Sequence, residues 1–262
     1  MKIIENFKFD EKYKTLFVNV SGGADSTILL YSLIKYLQST GRTDTKIHLN
    51  TVMFHHYDSS NASTMKTVSN MIGFILEHTN AFSLIDSHNF LLRGNENGMY
   101  EGYGRYKVYK THPSSILTDR NKLVAPTDAS HYFLMEIGKI ISSRPDKESC
   151  LLLSGKNQNP PIGTMVTAQS GKIVDMQVSS PYQHRNVGYE WVLNGKNGVH
   201  EYHPFGAIDK KEIIAIYKYF NVYDKLLPMT HSCASWNVET TNNFTTECGE
   251  CWWCLEREWG ME

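Results

Sequence analysis

Apolar residues recur with two different periods along the first 90 positions of the chain. The run from Leu16 to Val20 and the partly alternating stretch from Lys46 to His56 predict two strands. Between them the apolar positions follow a helical period up to Gln38, with Gly41 as a stop. These helical positions are Ile28, Leu29, Leu30, Leu33, Ile34 and Leu37. The pattern predicts a strand, a buried helix and a second strand.

The alternation of strand and helix continues beyond the second strand. A helix is predicted from Ala62 to His78 and a third strand from Ala81 to Ile85. This β-α-β-α-β order favours an α/β fold with a doubly wound parallel sheet. Ligands bind at the carboxyl ends of the strands in such a sheet, so we expect His55 and His56 to lie near a substrate.

Three further elements are predicted in the second half of the chain, where the hydrophobic periodicity is interrupted near 92–128 and 157–203. They are a helix from His131 to Ile141, a short buried strand from Cys150 to Leu153, and a helix over about 210–220 that begins with the capping box Asp209-Lys210-Lys211-Glu212. We expect residues 1–220 to form one α/β domain with insertions near 92–128 and 157–203. The remainder, 221–262, is expected to pack on that domain.

Composition narrows the class of protein. The 262 residues are 41% hydrophobic, which is enough for a sizeable core. Because 26 basic residues oppose 27 acidic ones, the charge gives no support for a nucleic-acid or membrane-surface partner. The sequence shows neither a leader nor an apolar run long enough to span a membrane, so a cytoplasmic protein is expected. Cysteines in a reducing cytoplasm are usually thiols or metal ligands.

A glycine-containing loop, Ser21-Gly22-Gly23-Ala24-Asp25-Ser26, joins the first strand to the first helix. Glycines let the backbone turn so that successive N–H groups converge on an anion, and the helix N-terminus adds to the attraction. Ser21 and Ser26 offer hydroxyls to phosphate oxygens, while Asp25 suits Mg²⁺ or a helix cap. The spacing matches neither a Walker A motif nor G-x-G-x-x-G. A plain helix-capping turn is the alternative.

A second polar turn follows the strand that ends at Leu153. Its residues Lys156 and Asn157 would lie at the ligand-facing edge of the sheet, where they could meet phosphate or substrate. Glycine, asparagine and proline also favour an ordinary turn at 154–161, so both interpretations stay open.

Four of the five cysteines lie near the C-terminus. Cys233 is followed by Cys248, Cys251 and Cys254, which form two overlapping C-x-x-C steps. Four thiolates suit tetrahedral Zn²⁺, and a set of four sulfur ligands leaves no open position for a catalytic water. We therefore expect a structural zinc site. An iron–sulfur cluster and a redox pair are the weaker alternatives.

The sequence Ser-Gly-Gly-x-Asp-Ser at 21–26 resembles the PP-loop of the ATP pyrophosphatase superfamily. The resemblance implies an α/β fold of the adenine nucleotide alpha hydrolase type, ATP binding and attack of a substrate oxygen on the α-phosphate. Pyrophosphate would leave, and a nucleophile would then displace AMP. The loop residues Ser21, Gly22, Gly23, Ala24, Asp25 and Ser26 would hold ATP and Mg²⁺.

Three motifs in order resemble the 7-cyano-7-deazaguanine synthase family. They are the loop at 21–26, the segment ending in Lys210-Lys211-Glu212-Ile213, and Thr230-His231-Ser232-Cys233 followed by the cysteines within 248–257. The resemblance covers about the first and last sixty residues. It implies that ATP and ammonia convert the carboxylate 7-carboxy-7-deazaguanine into a nitrile, on the way to queuosine. Asp25, Ser26 and Lys210 would then be catalytic, with Lys210 neutralising charge on the phosphates.

Several alternatives remain open from the residues alone. The acceptor could be another carboxylate, carbonyl or ureido oxygen. A tRNA-modifying or sulfur-transfer PP-loop enzyme would need a catalytic cysteine at the sheet edge, for which only Cys150 is available outside the cluster. An amidotransferase-type or NAD-synthetase-type ligase shares the loop but lacks these cysteines. A non-catalytic ATP-binding module of a larger assembly and a possible homodimer complete the range, and Lys210 could simply be solvated at a helix N-terminus.

Overall fold

A computed structural model of the chain describes residues 7–54, 58–93, 106–110, 137–180, 191–192, 198–233 and 247–262. Its strands are β1 Thr15–Asn19, β2 Lys46–Phe54, β3 Ile85–Arg93, β4 Tyr106–Lys110, β5 Cys150–Leu153, β6 Met165–Thr167, β7 Ile173–Asp175, β8 Trp191–Val192 and β9 Glu201–Tyr202. Its helices are α1 Ala24–Ser39, α2 Asp58–Thr79, α3 Lys210–Tyr219, α4 Tyr223–Leu226 and α5 Trp252–Met261. Short 3-10 turns occur at Phe82–Leu84, Lys147–Ser149 and Leu227–Met229.

Seven of the strands form one sheet in the order β4-β3-β2-β1-β5-β9-β8. Neighbouring strands are parallel except for β8, which is antiparallel to β9. The remaining strands, β6 and β7, form a separate antiparallel hairpin. The chain leaves β1 toward β2 on one side and later returns through β5 on the other, so the connectivity reverses at the β1–β5 boundary. Ligand sites of parallel sheets lie at such a boundary.

Helical layers pack on both faces of the sheet because successive side chains of a strand point in opposite directions. Leu16 and Val18 of β1 are buried in a core shared with α1, α2 and α3. Phe17, between them, packs on the other face with residues from the helical stretch 137–142 and from β5. The predicted α/β fold with a doubly wound parallel sheet is therefore confirmed. Among the described residues, no helix is long and apolar enough to cross a bilayer.

The third strand lies later in the chain than its apolar pattern predicts. Residues 82–84 form a 3-10 turn, and β3 begins at Ile85. Its first half is polar because its side chains pair with those of β2: Asn89 Nδ2 donates to Asn50 Oδ1 at 3.0 Å, and the His48 ring lies 2.7 Å from the Ser87 hydroxyl. Polar pairs buried between strands hide the hydrophobic alternation on which a prediction depends.

The other predicted elements lie close to their expected bounds. Strands β1, β2 and β5 and helices α1, α2 and α3 all form, and Asp209 caps α3 with the reciprocal contacts of a capping box. Of the helix predicted from His131 to Ile141, the described part at 137–142 is helical. Most of the stretch 94–136 lies outside the described residues, apart from the edge strand β4. The stretch 157–203 contains β6 to β9.

Candidate functional site

The loop predicted to bind phosphate and the polar turn after β5 meet at the β1–β5 boundary. Gly155 lies so close to the start of α1 that a Cβ on it would stand 3.0 Å from the carbonyl carbon of Asp25 and 3.0 Å from the nitrogen of Ser26. Those neighbours are backbone atoms, which cannot rotate away as a side chain can. Glycine at this position allows the turn and the loop to form one continuous edge.

The loop at 21–26 is braced by its own hydroxyls. The Ser21 N–H donates to Ser26 Oγ at 3.1 Å, and the Gly23 N–H donates to Ser21 Oγ at 3.3 Å. Gly22 has a φ of 84°, a conformation that suits glycine. Gly23 is the N-cap of α1, and among the described residues no side chain caps this helix. The helix N-terminus therefore faces the sheet edge without the side-chain acceptor that a plain capping turn would supply.

Helix α3 and the segment before Cys233 each donate a hydrogen bond to a backbone carbonyl of the loop. The Tyr217 hydroxyl of α3 donates to the carbonyl of Ala24 at 2.6 Å, and complete burial raises the pKa of this tyrosine well above its usual value. The His231 N–H donates to the carbonyl of Gly22 at 2.8 Å. Because His231 lies two residues before Cys233, the loop is hydrogen-bonded directly to the segment that carries the first cysteine of the cluster.

Lys210 lies between two carboxylates beside the loop. Its Nζ is 2.5 Å from Asp25 Oδ1 and 2.6 Å from Asp25 Oδ2, and it is 3.4 Å from Glu256 Oε2. The Lys210 side chain is only 3% exposed, so it is not solvated. The side chain of Glu256 is 2% exposed, whereas that of Asp25 is 22% exposed. One cation and two anions leave this cluster with a net negative charge when all three groups are ionised.

The turn after β5 contributes a buried amide to the same cluster. Asn157 is 1% exposed, and its Nδ2 lies 3.5 Å from Glu256 Oε1, while its Oδ1 has no hydrogen-bond partner among the residues that the structure describes. Lys156 lies near the buried His203, whose pKa is lowered by burial and then by the lysine, against the opposing effect of Glu201. No sequence pattern singles out His203 as a functional residue. His55 and His56 lie outside the described residues.

The four C-terminal cysteines converge on one point. The Sγ atoms of Cys233, Cys248, Cys251 and Cys254 all lie within 4.8 Å of one another. The Cys251–Cys254, Cys233–Cys251 and Cys248–Cys254 separations are 3.5, 3.9 and 3.9 Å. Sulfurs bound tetrahedrally to one ion with bonds of about 2.3 Å stand about 3.8 Å apart. The set therefore fits a single tetrahedral metal ion.

The four thiols perturb one another's ionisation. Hydrogen bonds from Cys251 and Cys254 hold the pKa of Cys233 below its usual range. The contacts with Cys233 and Cys251, together with burial, raise the pKa of Cys254. Thiolates this close repel one another, so the four sulfurs can all be ionised only when a metal compensates their charge.

Arg257 joins the cysteine segment to the body of the fold. It is 7% exposed, and its guanidinium donates to the carbonyls of Leu227 and Thr230 at 2.9 and 3.0 Å and to Glu247 Oε1 at 3.0 Å. Glu247 Oε1 also accepts the Ser232 N–H at 2.9 Å. Arg257 is buried and Glu247 is half-buried, and together they link the chain before Cys233 to the segment that carries the later cysteines.

The β6–β7 hairpin, within the predicted insertion at 157–203, supports the cluster from outside. Glu250 accepts hydrogen bonds from the N–H and hydroxyl of Ser170 at 2.6 and 2.8 Å. The indole N–H of Trp252 donates to the carbonyl of Met176 at 2.8 Å. The hairpin thus packs on the N-terminal part of α5.

Cys150 lies at the amino end of its strand, whereas the loop lies at the carboxyl ends of the strands. It is the first residue of β5 and pairs with Thr15, the first residue of β1, whereas the loop follows the end of β1. Burial raises the pKa of its thiol to about 11. A buried, protonated thiol in this place is a core residue rather than a nucleophile for the loop.

Comparison with known proteins leaves the family open. No family model and no curated protein matches the sequence. Among solved structures, the chain is similar to the U34-tRNA thiolase NcsA from Methanococcus maripaludis with its 4Fe-4S cluster, at 12% sequence identity and a TM-score of 0.44. The match covers 84% of this chain and 62% of that one. A similarity of this size carries no argument about family or function, so the function is argued from the site itself.

Proposed function

We propose that this protein is an ATP-utilising enzyme of the PP-loop type that adenylates a substrate oxygen and lets a nitrogen nucleophile displace AMP. The observation that carries the proposal is the pairing of Lys210 with Asp25 of the glycine loop, at the edge where the sheet connectivity reverses. A helix N-terminus, a buried lysine and a carboxylate that reaches solvent are the groups needed to hold a metal-bound triphosphate.

The charge of the cluster supports a role for Mg²⁺. Within the group of Lys210, Asp25 and Glu256 the carboxylates outnumber the ammonium, so this group by itself would not attract a bare triphosphate. Asp25 is the more exposed carboxylate and would hold Mg²⁺. When bound, Mg²⁺ supplies positive charge that neutralises phosphate oxygens. Lys210 would act on the same charge from the protein side, and Ser21 and Ser26 would bond phosphate oxygens through their hydroxyls.

The resemblance to the 7-cyano-7-deazaguanine synthase family suggests the reaction. A carboxylate oxygen of 7-carboxy-7-deazaguanine attacks the α-phosphorus of ATP, and the bond to the β-phosphate oxygen breaks to release pyrophosphate. Ammonia attacks the activated carbonyl carbon, and AMP leaves with the transferred oxygen to give an amide. A second ATP activates the amide oxygen in the same way, and loss of AMP and protons gives the nitrile. The enzyme would therefore be a carbon–nitrogen ligase.

We propose further that the four cysteines bind one structural Zn²⁺. An iron–sulfur cluster distributes its four thiolates over two or four irons, so that the cysteine sulfurs stand around a body of several atoms. The compact sulfur set found here suits a single ion better. The metal would fix the conformation of the segment 221–262, which supplies all four ligands, and the segment would pack on the ATP-binding domain 1–220. No open position would remain for catalysis.

A PP-loop tRNA-modifying or sulfur-transfer enzyme is the competing function. Cys150, the cysteine outside the cluster, lies at the amino end of β5 and is buried, so it is poorly placed to transfer sulfur at the loop. The deciding experiment supplies purified protein with 7-carboxy-7-deazaguanine, ATP, Mg²⁺ and ammonia, and follows AMP, pyrophosphate and nitrile. Nitrile formation supports the named reaction. AMP formation with a different acceptor retains the chemistry and excludes this substrate. Absence of AMP with every acceptor favours a non-catalytic ATP-binding module.

A further inference from the structure

Helix α5 contacts the side chain of Lys210 at two levels. Glu256 places its Oε2 3.4 Å from Lys210 Nζ. Gly260 lies four residues later on the same helical face, and a Cβ on it would stand 2.4 Å from Lys210 Cγ. Glycine at 260 thus lets the helix rest on the aliphatic part of the lysine, while the carboxylate at 256 reaches its charged end. This arrangement comes from the helix that also carries Cys254.

The two carboxylates around Lys210 differ in their access to solvent. Asp25 lies on the first turn of α1, and its side chain is 22% exposed. The Glu256 side chain is 2% exposed, and Asn157 lies against its other oxygen. An incoming divalent cation can therefore reach Asp25 but not Glu256.

A cation at Asp25 competes with Lys210 for the same oxygens, since the lysine bonds both of them. If Asp25 were the only counter-charge, its transfer to a divalent cation would leave a buried ammonium unpaired, which is strongly unfavourable. A second, solvent-shielded carboxylate removes this obstacle because the lysine keeps a partner throughout.

We propose that Glu256 is a positioning residue that keeps Lys210 paired and in place when Asp25 turns to Mg²⁺. This inference rests on the proposed function, because it assumes that Mg²⁺ and ATP bind at the loop. Its consequence is that Glu256 sets the Mg²⁺ requirement of ATP binding without touching the metal or the nucleotide.

The test measures the Mg²⁺ concentration that gives half-maximal ATP binding, by calorimetric titration of ATP at a series of Mg²⁺ concentrations. The variants are Glu256→Gln, Lys210→Met and the double variant. We expect Glu256→Gln to raise the required Mg²⁺ concentration by about tenfold, and to change it by less than about twofold in the Lys210→Met background, because the competition is then absent. Glu258→Gln, an exposed position on the same helix, is the matched control and should behave like the wild type.

Each outcome decides the matter. The same shift in both backgrounds would mean that Glu256 acts through its charge or through the fold rather than through Lys210, and would overturn the inference. No shift in the single variant would overturn it as well. If the wild type shows no Mg²⁺-dependent ATP binding, the proposed function fails first and the inference with it. Should Glu256→Gln not fold, as judged by thermal unfolding, Glu256→Asp is used in the same cycle. It should give a smaller shift that is again abolished by Lys210→Met.

Discussion

The ammonium of Lys210 lies 2.6 Å from Oδ2 of Asp25, although 185 positions separate the two residues. The contact joins the first residue of α3 to the first turn of α1, and both helices pack on one face of the sheet. Under the proposed function, this buried lysine would compensate charge on a phosphate.

Replacing the lysine should reduce turnover far more than it reduces folding stability. Lys210→Met is expected to lower the rate of AMP formation by about 100-fold, as is typical for the loss of one preorganised charge-stabilising group. The measurement is AMP release at saturating ATP. Lys211→Met is the matched control. The side chain of Lys211 is exposed, so its replacement should leave the rate within about twofold of the wild-type rate. Equal losses in both variants would contradict the role of Lys210.

Adding one methyl group at the turn after β5 should disturb the loop. Gly155→Ala places a Cβ 3.0 Å from backbone atoms of Asp25 and Ser26, so we expect a loss of about 1–3 kcal/mol in the free energy of unfolding together with weaker ATP binding. In the described part of the chain, a Cβ at Gly73 in α2 meets no atom within 4 Å outside its own helix backbone, so Gly73→Ala should be neutral or stabilising by up to about 1 kcal/mol. Urea unfolding of both variants measures the difference. Wild-type stability of Gly155→Ala would contradict the predicted close contact with the loop.

A buried histidine should make stability depend on pH. Burial lowers the pKa of His88 to about 4, and its ring lies 2.8 Å from the Thr51 hydroxyl. Because its pKa in the folded state is below the unfolded value near 6.5, its contribution is complete above pH 6.5 and is lost as the pH falls toward 4. The loss amounts to about 3 kcal/mol. Urea unfolding between pH 7 and 4 should show a shallower dependence for His88→Gln than for the exposed control His78→Gln. Parallel curves would argue against a buried neutral ring.

Metal analysis should find about one zinc per chain, since four thiolates at these separations suit one tetrahedral ion. Cys254→Ser should lose the metal and destabilise the contact between His231 and Gly22, because both depend on the position of the cysteine segment. Cys150→Ser should retain the metal, because Cys150 lies at the amino end of β5 and is not part of the cysteine cluster. Mass spectrometry of the native protein measures the content, and hydrogen exchange measures protection of the loop. A fully folded, metal-free wild type would rule out the site.

Sequence reasoning identified the groups whose spacing is local, and it missed those that only the fold brings together. The glycine loop, the capping box at Asp209 and the C-x-x-C steps are short patterns with a mechanism behind each one. Lys210 was placed in the site by its family motif alone. Its burial could not be foreseen, because a lysine at a helix N-terminus is normally solvated.

Glu256 and Gly155 carried no signal of their own. Glu256 reads as an ordinary charged residue of a helix, and its significance depends on the contact with a lysine that lies far away in the chain. In the sequence, Gly155 is typical of an ordinary turn. In the structure, a side chain at this position is excluded by the backbone of Asp25 and Ser26. The late start of β3 has a similar cause, since its polar residues are satisfied only by the neighbouring strand. Long-range pairing is invisible to local periodicity.

Adenylation can be followed by the oxygen atom that passes from the substrate to the nucleotide. Purified protein is supplied with 7-carboxy-7-deazaguanine labelled with ¹⁸O in its carboxylate, together with ATP, Mg²⁺ and ammonia, and the released AMP is analysed by mass spectrometry. Adenylation predicts transfer of ¹⁸O from the carboxylate into the phosphate of AMP, with loss of this product in Lys210→Met. Unlabelled AMP, or cleavage of ATP to ADP and phosphate, would show that the protein does not adenylate this carboxylate.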